Sequence, residues 1–276
     1  MRYVSAVVDG RTVAAELVGH TVVPLTGMAE VGAETSTDAL AGAARESTRA
    51  VAVDEVELRP VVPSPRRIIC VGLNYRSHVE ETKRGQSDYP VLFSKFASSL
   101  LAPDGMIELP PESDQIDYEG ELAVVIGRSG RRIAERDAAD HILGYAAAND
   151  VTVRDYQYKT HQWMQGKSWD NTTPLGPAIV TADELDLDSA AISTKLNGEQ
   201  VQSSDLGKLI FSIPKLIAII STFTTIDPGD IILTGTPGGV GFRRDPQLFL
   251  REGDLVEVEV EGVGRISNRV GYADRS

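Results

Sequence analysis

The stretch Asp117-Tyr-Glu119-Gly-Glu121-Leu-Ala-Val-Val-Ile126 places two glutamates directly before an apolar run. The run favours a β-strand, and the two-residue period of a strand puts Glu119 and Glu121 close together on one face. Two like charges beside a core are costly unless a cation compensates them. With neither a cysteine nor a histidine pair nearby, this all-oxygen set predicts Mg²⁺ or Mn²⁺ rather than zinc. The alternative is that both glutamates lie on a solvated strand face.

A third acid, Asp150, ends the run of small residues at 144–149. Arg154 and Gln157 follow it within one or two helical turns. Partners of this kind orient a carboxylate ligand, and a guanidinium is suited to grip a substrate carboxylate as a fork. The alternative is an aspartate that caps a helix whose arginine faces water.

A histidine follows the segment Cys70-Val-Gly-Leu-Asn-Tyr75, which predicts a strand that ends in a turn. His78 and Glu81 stand at positions i and i+3 of a short helix, so they share one helical face. Glu81 can then orient the imidazole, and His78 becomes our candidate general base. A chance pair on an exposed helix would have the same spacing.

Two turn-rich segments supply further candidates. Lys167 lies in Gln165-Gly-Lys-Ser-Trp-Asp170, where its charge can stabilise an oxyanion or an enolate; the alternative is a solvated loop lysine. The loop Leu233-Thr-Gly-Thr236-Pro-Gly-Gly-Val-Gly241 fits neither glycine pattern of nucleotide-binding sites. We expect it to form a tight turn that faces the substrate, with plain turn glycines as the alternative.

Outward from these motifs, the chain is rich in strand-like segments and poor in helices. Strands are predicted at 68–71, 122–126, 179–181, 192–196, 230–234 and 255–260. Helices are predicted over 77–83 and over 213–222, the second with Ser212 as its N-cap. Strands and helices do not alternate regularly, which disfavours a doubly wound sheet. The pattern predicts a mixed α/β, strand-dominated fold.

The first sixty residues predict a small β-rich N-terminal domain. Asp9-Gly10 is a hairpin signal between two alternating runs, and the alanine-rich segment 38–49 is compatible with a helix. Three prolines within residues 59–66 suit an extended connector. We therefore predict an N-terminal domain over 1–62 and a catalytic domain over 66–276.

Composition excludes several classes of partner. The chain has 276 residues with a net charge of −13, so a surface that neutralises nucleic acid or coats an anionic membrane is not expected. The single cysteine, Cys70, rules out an intramolecular disulfide framework and predicts a reducing compartment. We see neither a signal sequence nor an apolar run of membrane-spanning length, so the cytoplasm is the expected location.

In their order along the chain, these motifs resemble the fumarylacetoacetate hydrolase family from about Pro65 to the end. Five segments carry the resemblance. They are Val71-Gly-Leu-Asn-Tyr75 with His78-Val-Glu-Glu81, Asp117-Tyr-Glu-Gly-Glu-Leu122, Asn149-Asp-Val-Thr-Val-Arg-Asp-Tyr-Gln157, Gly166-Lys-Ser168 with Pro174-Leu-Gly-Pro177, and Leu233–Gly241.

The resemblance implies a mixed β-sheet roll preceded by a small N-terminal domain, a homodimer, and a bound Mg²⁺ or Mn²⁺. The residues that it implies fall into three groups. They are the metal ligands Glu119, Glu121 and Asp150, the catalytic residues His78, Glu81 and Lys167, and the substrate-binding residues Tyr75, Arg154, Gln157 and Thr236.

The resemblance further implies hydrolysis of a carbon–carbon bond in a 2,4-dioxo acid, with fumarylpyruvate cleaved to fumarate and pyruvate as the expected reaction of aromatic-compound catabolism. Relatives that decarboxylate oxaloacetate, or that isomerise and decarboxylate dienedioates, use the same metal and keto-acid geometry and form the alternative. A third interpretation is a non-catalytic scaffold whose acids bind a metal for structure. Residues 83–90 fall in a lid that differs among these activities.

Overall fold

The structure is a computed structural model that describes residues 1–33, 35–83, 85, 87–187 and 189–273. Its α-helices are α1 Thr37–Gly42, α2 Arg76–Thr82, α3 Arg154–Gln157, α4 Met164–Lys167 and α5 Ile213–Phe223. The first strands are β1 Arg2–Val8, β2 Arg11–Val18, β3 Thr21–Pro24, β4 Val51–Ala52, β5 Glu57–Leu58, β6 Ile68–Gly72, β7 Val91–Lys95, β8 Leu100–Leu101, β9 Ile107–Glu108 and β10 Ile116–Asp117. The remaining strands are β11 Gly120–Ile126, β12 Ile142–Asn149, β13 Thr152–Val153, β14 Thr173–Thr181, β15 Ala191–Leu196, β16 Glu199–Asp205, β17 Ile231–Leu233, β18 Leu255–Val260 and β19 Gly264–Gly271. The strand-dominated mixed α/β fold is confirmed.

The main sheet runs in the order β4-β3-β2-β1-β14-β12-β11-β17-β6-β7. Its strands β11, β12 and β17 are completely buried at nearly every position, which explains their near-continuous apolar sequences. β11 pairs antiparallel with β12 and with β17, whereas β17 pairs parallel with β6. The strands that end in the candidate motifs are therefore direct neighbours.

The N-terminal hairpin forms as predicted, with Asp9 and Gly10 both at positive φ between β1 and β2. Its sheet continues into the rest of the molecule, because β1 pairs with β14 through Arg2↔Val180 and Tyr3↔Ile179. The division into domains at 62–66 stays a prediction, and residues 274–276 at its far end lie outside the described residues.

A second sheet, in the order β16-β15-β18-β19-β9, packs against the main sheet behind β11. The closest approach occurs at Gly120, where a Cβ atom would lie 2.2 Å from Thr194 Oγ1 and 3.1 Å from Val258 Cγ1. Only glycine fits between the two sheets at this point. The glycine between the two predicted ligands thus belongs to the packing of the fold.

Two helices match the sequence pattern closely and one does not. α5 covers its predicted segment, and α2 covers 77–83 except Lys83, which follows the helix at a φ of +55°. The Ser212 side chain makes no capping hydrogen bond at the start of α5. The predicted helix over 38–49 breaks into α1 and a 3-10 turn at Ser47–Arg49. The reason is tertiary, because the intervening Arg45 bridges to Leu25 and forms an ion pair with Glu16 at 2.7 Å.

Among the helices in the described ranges, we find none long and apolar enough to cross a membrane.

Candidate metal centre and active-site pocket

The three predicted metal ligands converge on one buried position. Glu121 lies in β11, Glu119 stands in the break between β10 and β11, and Asp150 follows β12. The ladder pairs Gly120 with Asn149, so the ends of both strands are in register at this point. One carboxylate oxygen from each acid lies within 4.8 Å of the others, and all three side chains are buried. Solvated glutamates on an open strand face, the alternative interpretation of the motif, are not what the structure shows.

Three cations surround these carboxylates. Lys167 Nζ bonds Glu119 Oε2 at 2.8 Å and Asp150 Oδ2 at 2.7 Å. Lys95 Nζ bonds Asp150 Oδ1 at 2.6 Å and the carbonyl of Val151 at 3.1 Å. Because both amines are almost fully buried, each ammonium depends on these acceptors.

Arg154 holds Glu119 from the other side. Its Nη2 lies 2.8 Å from Glu119 Oε1 and 2.7 Å from Asp117 Oδ2, as an ion pair without hydrogen-bond geometry. Its Nε donates to Asp117 Oδ2 at 2.8 Å, and its Nη1 donates to Gln157 Oε1 at 3.0 Å. The guanidinium therefore faces protein carboxylates, and its predicted role as a fork for the substrate carboxylate stays a prediction.

The pKa values of Glu119 and Glu121 are shifted in opposite directions. Burial raises the pKa of Glu119, but Lys167, Arg154 and His78 outweigh it and bring the pKa to about 2. Burial, followed by the charges of Asp150 and Glu119, holds the pKa of Glu121 well above its usual range. The charge of Lys167 and a hydrogen bond from the Gly235 amide offset the raised pKa of Glu121 only in part.

This arrangement fits a divalent cation. The donors are carboxylate oxygens only, which Mg²⁺ and Mn²⁺ prefer, and Glu119, Glu121 and Asp150 would hold the ion. The raised pKa of Glu121 indicates a position where added positive charge would relieve repulsion between carboxylates.

The predicted histidine–glutamate pair is present on α2. His78 Nδ1 lies 2.7 Å from Glu81 Oε1, and the other oxygen of Glu81 accepts from the backbone of Gly239 at 2.8 Å. Gly239 has a φ of +107° and belongs to the glycine-rich loop after β17. The loop therefore positions the general-base candidate rather than a phosphate.

The pocket in front of the acids collects most of the predicted residues. Its lining includes His78, Glu119, Glu121, Arg154, Gln157, Lys167 and Thr236. Phe93 and Trp163 meet edge to face at 5.4 Å, and Tyr158 and Phe242 lie 5.5 Å apart. These four aromatic side chains also line the pocket and make it narrow and partly apolar.

Two predicted residues stand differently from the rest. The Thr236 hydroxyl donates to the carbonyl of Gly120 at 2.9 Å, so its hydrogen is already used. Tyr75 is buried, but it is absent from the described lining of the pocket, and its hydroxyl has no hydrogen-bond partner among the described residues. Its role in substrate binding stays a prediction. Of the predicted lid at 83–90, Arg84 and Gln86 lie outside the described residues.

Several residues of the site were not predicted from the sequence. Asp117 bonds Arg154 and accepts from the backbone of Gly241 at 2.8 Å. Gln202 reaches the site from β16, and Lys95 comes from the end of β7. The only local signal for Lys95 was a charged residue at the end of a mostly apolar strand. No local signal in the sequence indicated that Gln202 reaches the site.

A model of the family described as fumarylacetoacetate (FAA) hydrolase, C-terminal, matches residues 67–271. Together with the strand-dominated fold, the buried acidic trio and the histidine–glutamate pair, this match defines the chain as a member of an enzyme family. The chain belongs to the fumarylacetoacetate hydrolase family.

Curated relatives are similar over most of the chain. The chain is 44% identical over 218 residues to a mitochondrial oxaloacetate tautomerase of Xenopus laevis, covering 78% of this chain and 68% of the relative. It is 45% identical over 219 residues to a mitochondrial oxaloacetate tautomerase of Homo sapiens, covering 78% of this chain and 70% of the relative.

Solved structures share the whole fold. A fumarylacetoacetate hydrolase from Exiguobacterium antarcticum superposes with a TM-score of 0.85 at 32% identity, covering 99% of this chain and 100% of the other. A 5-carboxymethyl-2-hydroxymuconate delta-isomerase from Mycobacterium smegmatis has a TM-score of 0.84 at 32% identity, with the same coverage. The names thus cover hydrolase, isomerase and tautomerase activities on one architecture.

Proposed function

We propose that this protein is a divalent-metal-dependent tautomerase that interconverts the enol and keto forms of a small 2-oxo acid, with oxaloacetate as the first substrate to test. The observation that carries the proposal is that His78, paired with Glu81, lines the same pocket as Glu119 and Glu121, which form the acidic trio with Asp150. The names of the relatives at 44% and 45% identity support tautomerisation over the hydrolysis expected from the sequence.

The chemistry of the chain follows from the histidine. With Nδ1–H donated to Glu81, Nε2 carries the lone pair and can accept the proton of an enol hydroxyl. The imidazolium that forms is stabilised by Glu81, which is itself held by the backbone of Gly239. The imidazolium then returns its proton to C3, which completes the keto product and leaves His78 neutral, so the number of protons is unchanged. A bound divalent cation would supply the Lewis acid that stabilises negative charge on the C2 oxygen.

Hydrolysis of an acylpyruvate is our second candidate, because the same base could activate water and Gln157 also lines the pocket. One observation weighs against it. The Thr236 hydroxyl, which the family resemblance places among the substrate-binding residues, already donates its hydrogen to the carbonyl of Gly120. A non-catalytic scaffold is the third interpretation, but it gives no reason for the pairing of the buried His78 with the half-buried Glu81. A homodimer and a cytoplasmic location also remain proposals.

The test follows the ultraviolet absorbance of freshly dissolved enol-oxaloacetate with metal-stripped protein, before and after Mg²⁺ or Mn²⁺ is added. We expect faster ketonisation only with protein and metal together, without release of pyruvate. Fumarylpyruvate is assayed in parallel for fumarate. Metal-dependent formation of fumarate with no change in the ketonisation rate would replace the tautomerase by the hydrolase.

A further inference from the structure

Three strongly cationic side chains line the pocket, namely Arg154, Lys167 and Arg243. Two of them are already engaged, because Lys167 bonds Glu119 and Asp150 while Arg154 pairs with Asp117 and Glu119. Arg243 is different. Over the described ranges, no carboxylate lies within ion-pair distance of its guanidinium, and the side chain is exposed.

The backbone that carries Arg243 is held firmly. Arg243 ends the 3-10 turn Gly241–Arg243, and Asp117 accepts hydrogen bonds from the first two amides of this turn at 2.8 and 3.0 Å. The same Asp117 carboxylate bonds Arg154, which in turn holds Glu119. The turn is therefore tied to the metal ligands through one buried aspartate.

The ring of Phe242 lies close to two arginines of the pocket, the buried Arg154 and the exposed Arg243, which marks the mouth. Arg154 Cζ is 5.9 Å from the centroid of this ring, and Arg243 Cζ is 4.9 Å from it. Stacking on the ring holds the Arg243 guanidinium at the mouth, while its donors stay available for an anion. A ligand held at Glu119 and Glu121 would share the pocket with this cation, because all three side chains line it.

We propose that Arg243 binds the distal carboxylate of the substrate and makes the enzyme specific for 2-oxo dicarboxylates. The proposal rests on the proposed function, because it places the 2-oxo acid end of the substrate at Glu119, Glu121 and Asp150. Arginine presents two parallel N–H groups that match the two oxygens of a carboxylate. A 2-oxo monocarboxylate leaves Arg243 without a partner and gains nothing from it.

The test compares two 2-oxo acids that cannot enolise, so that binding is measured separately from tautomerisation. They are 3,3-dimethyl-oxaloacetate and 3,3-dimethyl-2-oxobutanoate, which differ by a carboxylate in place of a methyl group. Binding to the Mn²⁺-loaded protein is measured by calorimetry for the natural chain, Arg243→Met and Arg243→Lys. Arg11→Met, at an exposed position in the N-terminal hairpin, is the control.

We expect Arg243→Met to weaken binding of the dicarboxylate about tenfold, the size of one charge-assisted hydrogen-bonded contact. Binding of the monocarboxylate should stay within about twofold. Arg243→Lys should fall between, because it keeps the charge but loses the fork. Equal losses for both ligands, or no loss for the dicarboxylate, would overturn the proposal.

The two proposals fail in different ways. In one outcome, Arg243→Met loses affinity for the dicarboxylate only, while the natural chain does not accelerate ketonisation of enol-oxaloacetate. That result supports the dicarboxylate site and refutes tautomerisation. If the natural chain accelerates ketonisation and Arg243→Met binds both ligands with unchanged affinity, only the assignment of Arg243 to the distal carboxylate is refuted.

Discussion

The three carboxylates of the acidic trio differ in the number of cationic side chains that contact them. Glu119 is held by Lys167 and Arg154, and Asp150 is held by Lys167 and Lys95. Glu121 accepts only a backbone hydrogen bond from Gly235, at 2.8 Å, among the contacts described. Since a buried carboxylate is unfavourable without a partner, Glu121 depends most on a bound cation.

Replacement of Glu121 should therefore separate metal binding from folding. We expect Mn²⁺ at about 100 times its Kd to stabilise the natural chain by about 2.7 kcal/mol, and Glu121→Gln to lose most of this gain. Without metal the variant should be at least as stable, because one of three clustered charges is removed. Calorimetric Tm values with and without Mn²⁺ measure both effects.

Glu112→Gln, at an exposed loop position, is the matched control and should retain the full response to Mn²⁺. An equal rise in Tm for Glu121→Gln would show that this glutamate is not a ligand.

His78 is expected to matter for the reaction and not for the metal. His78→Ala should lower kcat by a factor of about 10²–10⁴, which is the usual range for a general base. Because three carboxylates supply the ligands, its Kd for Mn²⁺ should stay within about twofold. The exposed His20→Ala serves as the control. Ketonisation at the natural rate in His78→Ala would refute the assignment of the base.

At the scale of secondary-structure elements, one side chain connects the two sheets beside the acidic trio. Gln202 Oε1 accepts from the Gly120 amide at 2.9 Å and from Thr194 Oγ1 at 2.8 Å. Its Nε2 donates to Thr236 Oγ1 at 2.8 Å and to the carbonyl of Pro237 at 2.9 Å. The second sheet thereby positions both the ligand strand β11 and the loop after β17.

We expect Gln202→Glu to disturb this connection without a change in volume. A carboxylate cannot donate to Thr236 or Pro237, and it adds a buried negative charge near the acidic trio. The free energy of unfolding should fall by about 1–3 kcal/mol, and kcat should fall with it. Denaturant unfolding and the ketonisation assay measure the two changes.

The exposed Gln200 lies on the same strand and provides the control Gln200→Glu. If both variants are equally stable and equally active, Gln202 does not position the site.

At the scale of the whole molecule, the N-terminal strands share a core with the strands that carry the site. One apolar cluster contains Tyr3, Leu25 and Leu40 together with Leu143 and Leu175. The backbone pairing of β1 with β14 connects the same regions. We therefore expect the two predicted domains to unfold together.

Leu40→Ala tests this expectation from the N-terminal side. Leu40 is completely buried, so its truncation should lower the free energy of unfolding by about 2–5 kcal/mol. Fluorescence of Trp163 and Trp169, which lie beyond the connector, should shift to lower denaturant together with far-ultraviolet circular dichroism. Val18→Ala, at a position 57% exposed, should have little effect. Two separate transitions would instead support independent domains.

Much of the site could be predicted because its signals are local. The Asp117–Glu121 segment and the His78–Glu81 pair each depend on spacing within one element, and strand and helix periods convert that spacing into a shared face. The boundary of the helix at 38–49 could not be predicted, because contacts of Arg45 with distant residues end it. Tertiary contacts outweigh helix propensity there.

The sequence by itself determined the strand-dominated fold class, the family and the acidic trio, since each is encoded in periodicity or in short ordered motifs. Only the tertiary structure brought Lys95 to Asp150, 55 residues away, and Gln202 to Gly120, 82 residues away. It also placed Arg243 at the mouth of the pocket. The physical reason is that strand order and the packing of one sheet on another bring together residues whose local sequence has no common signal.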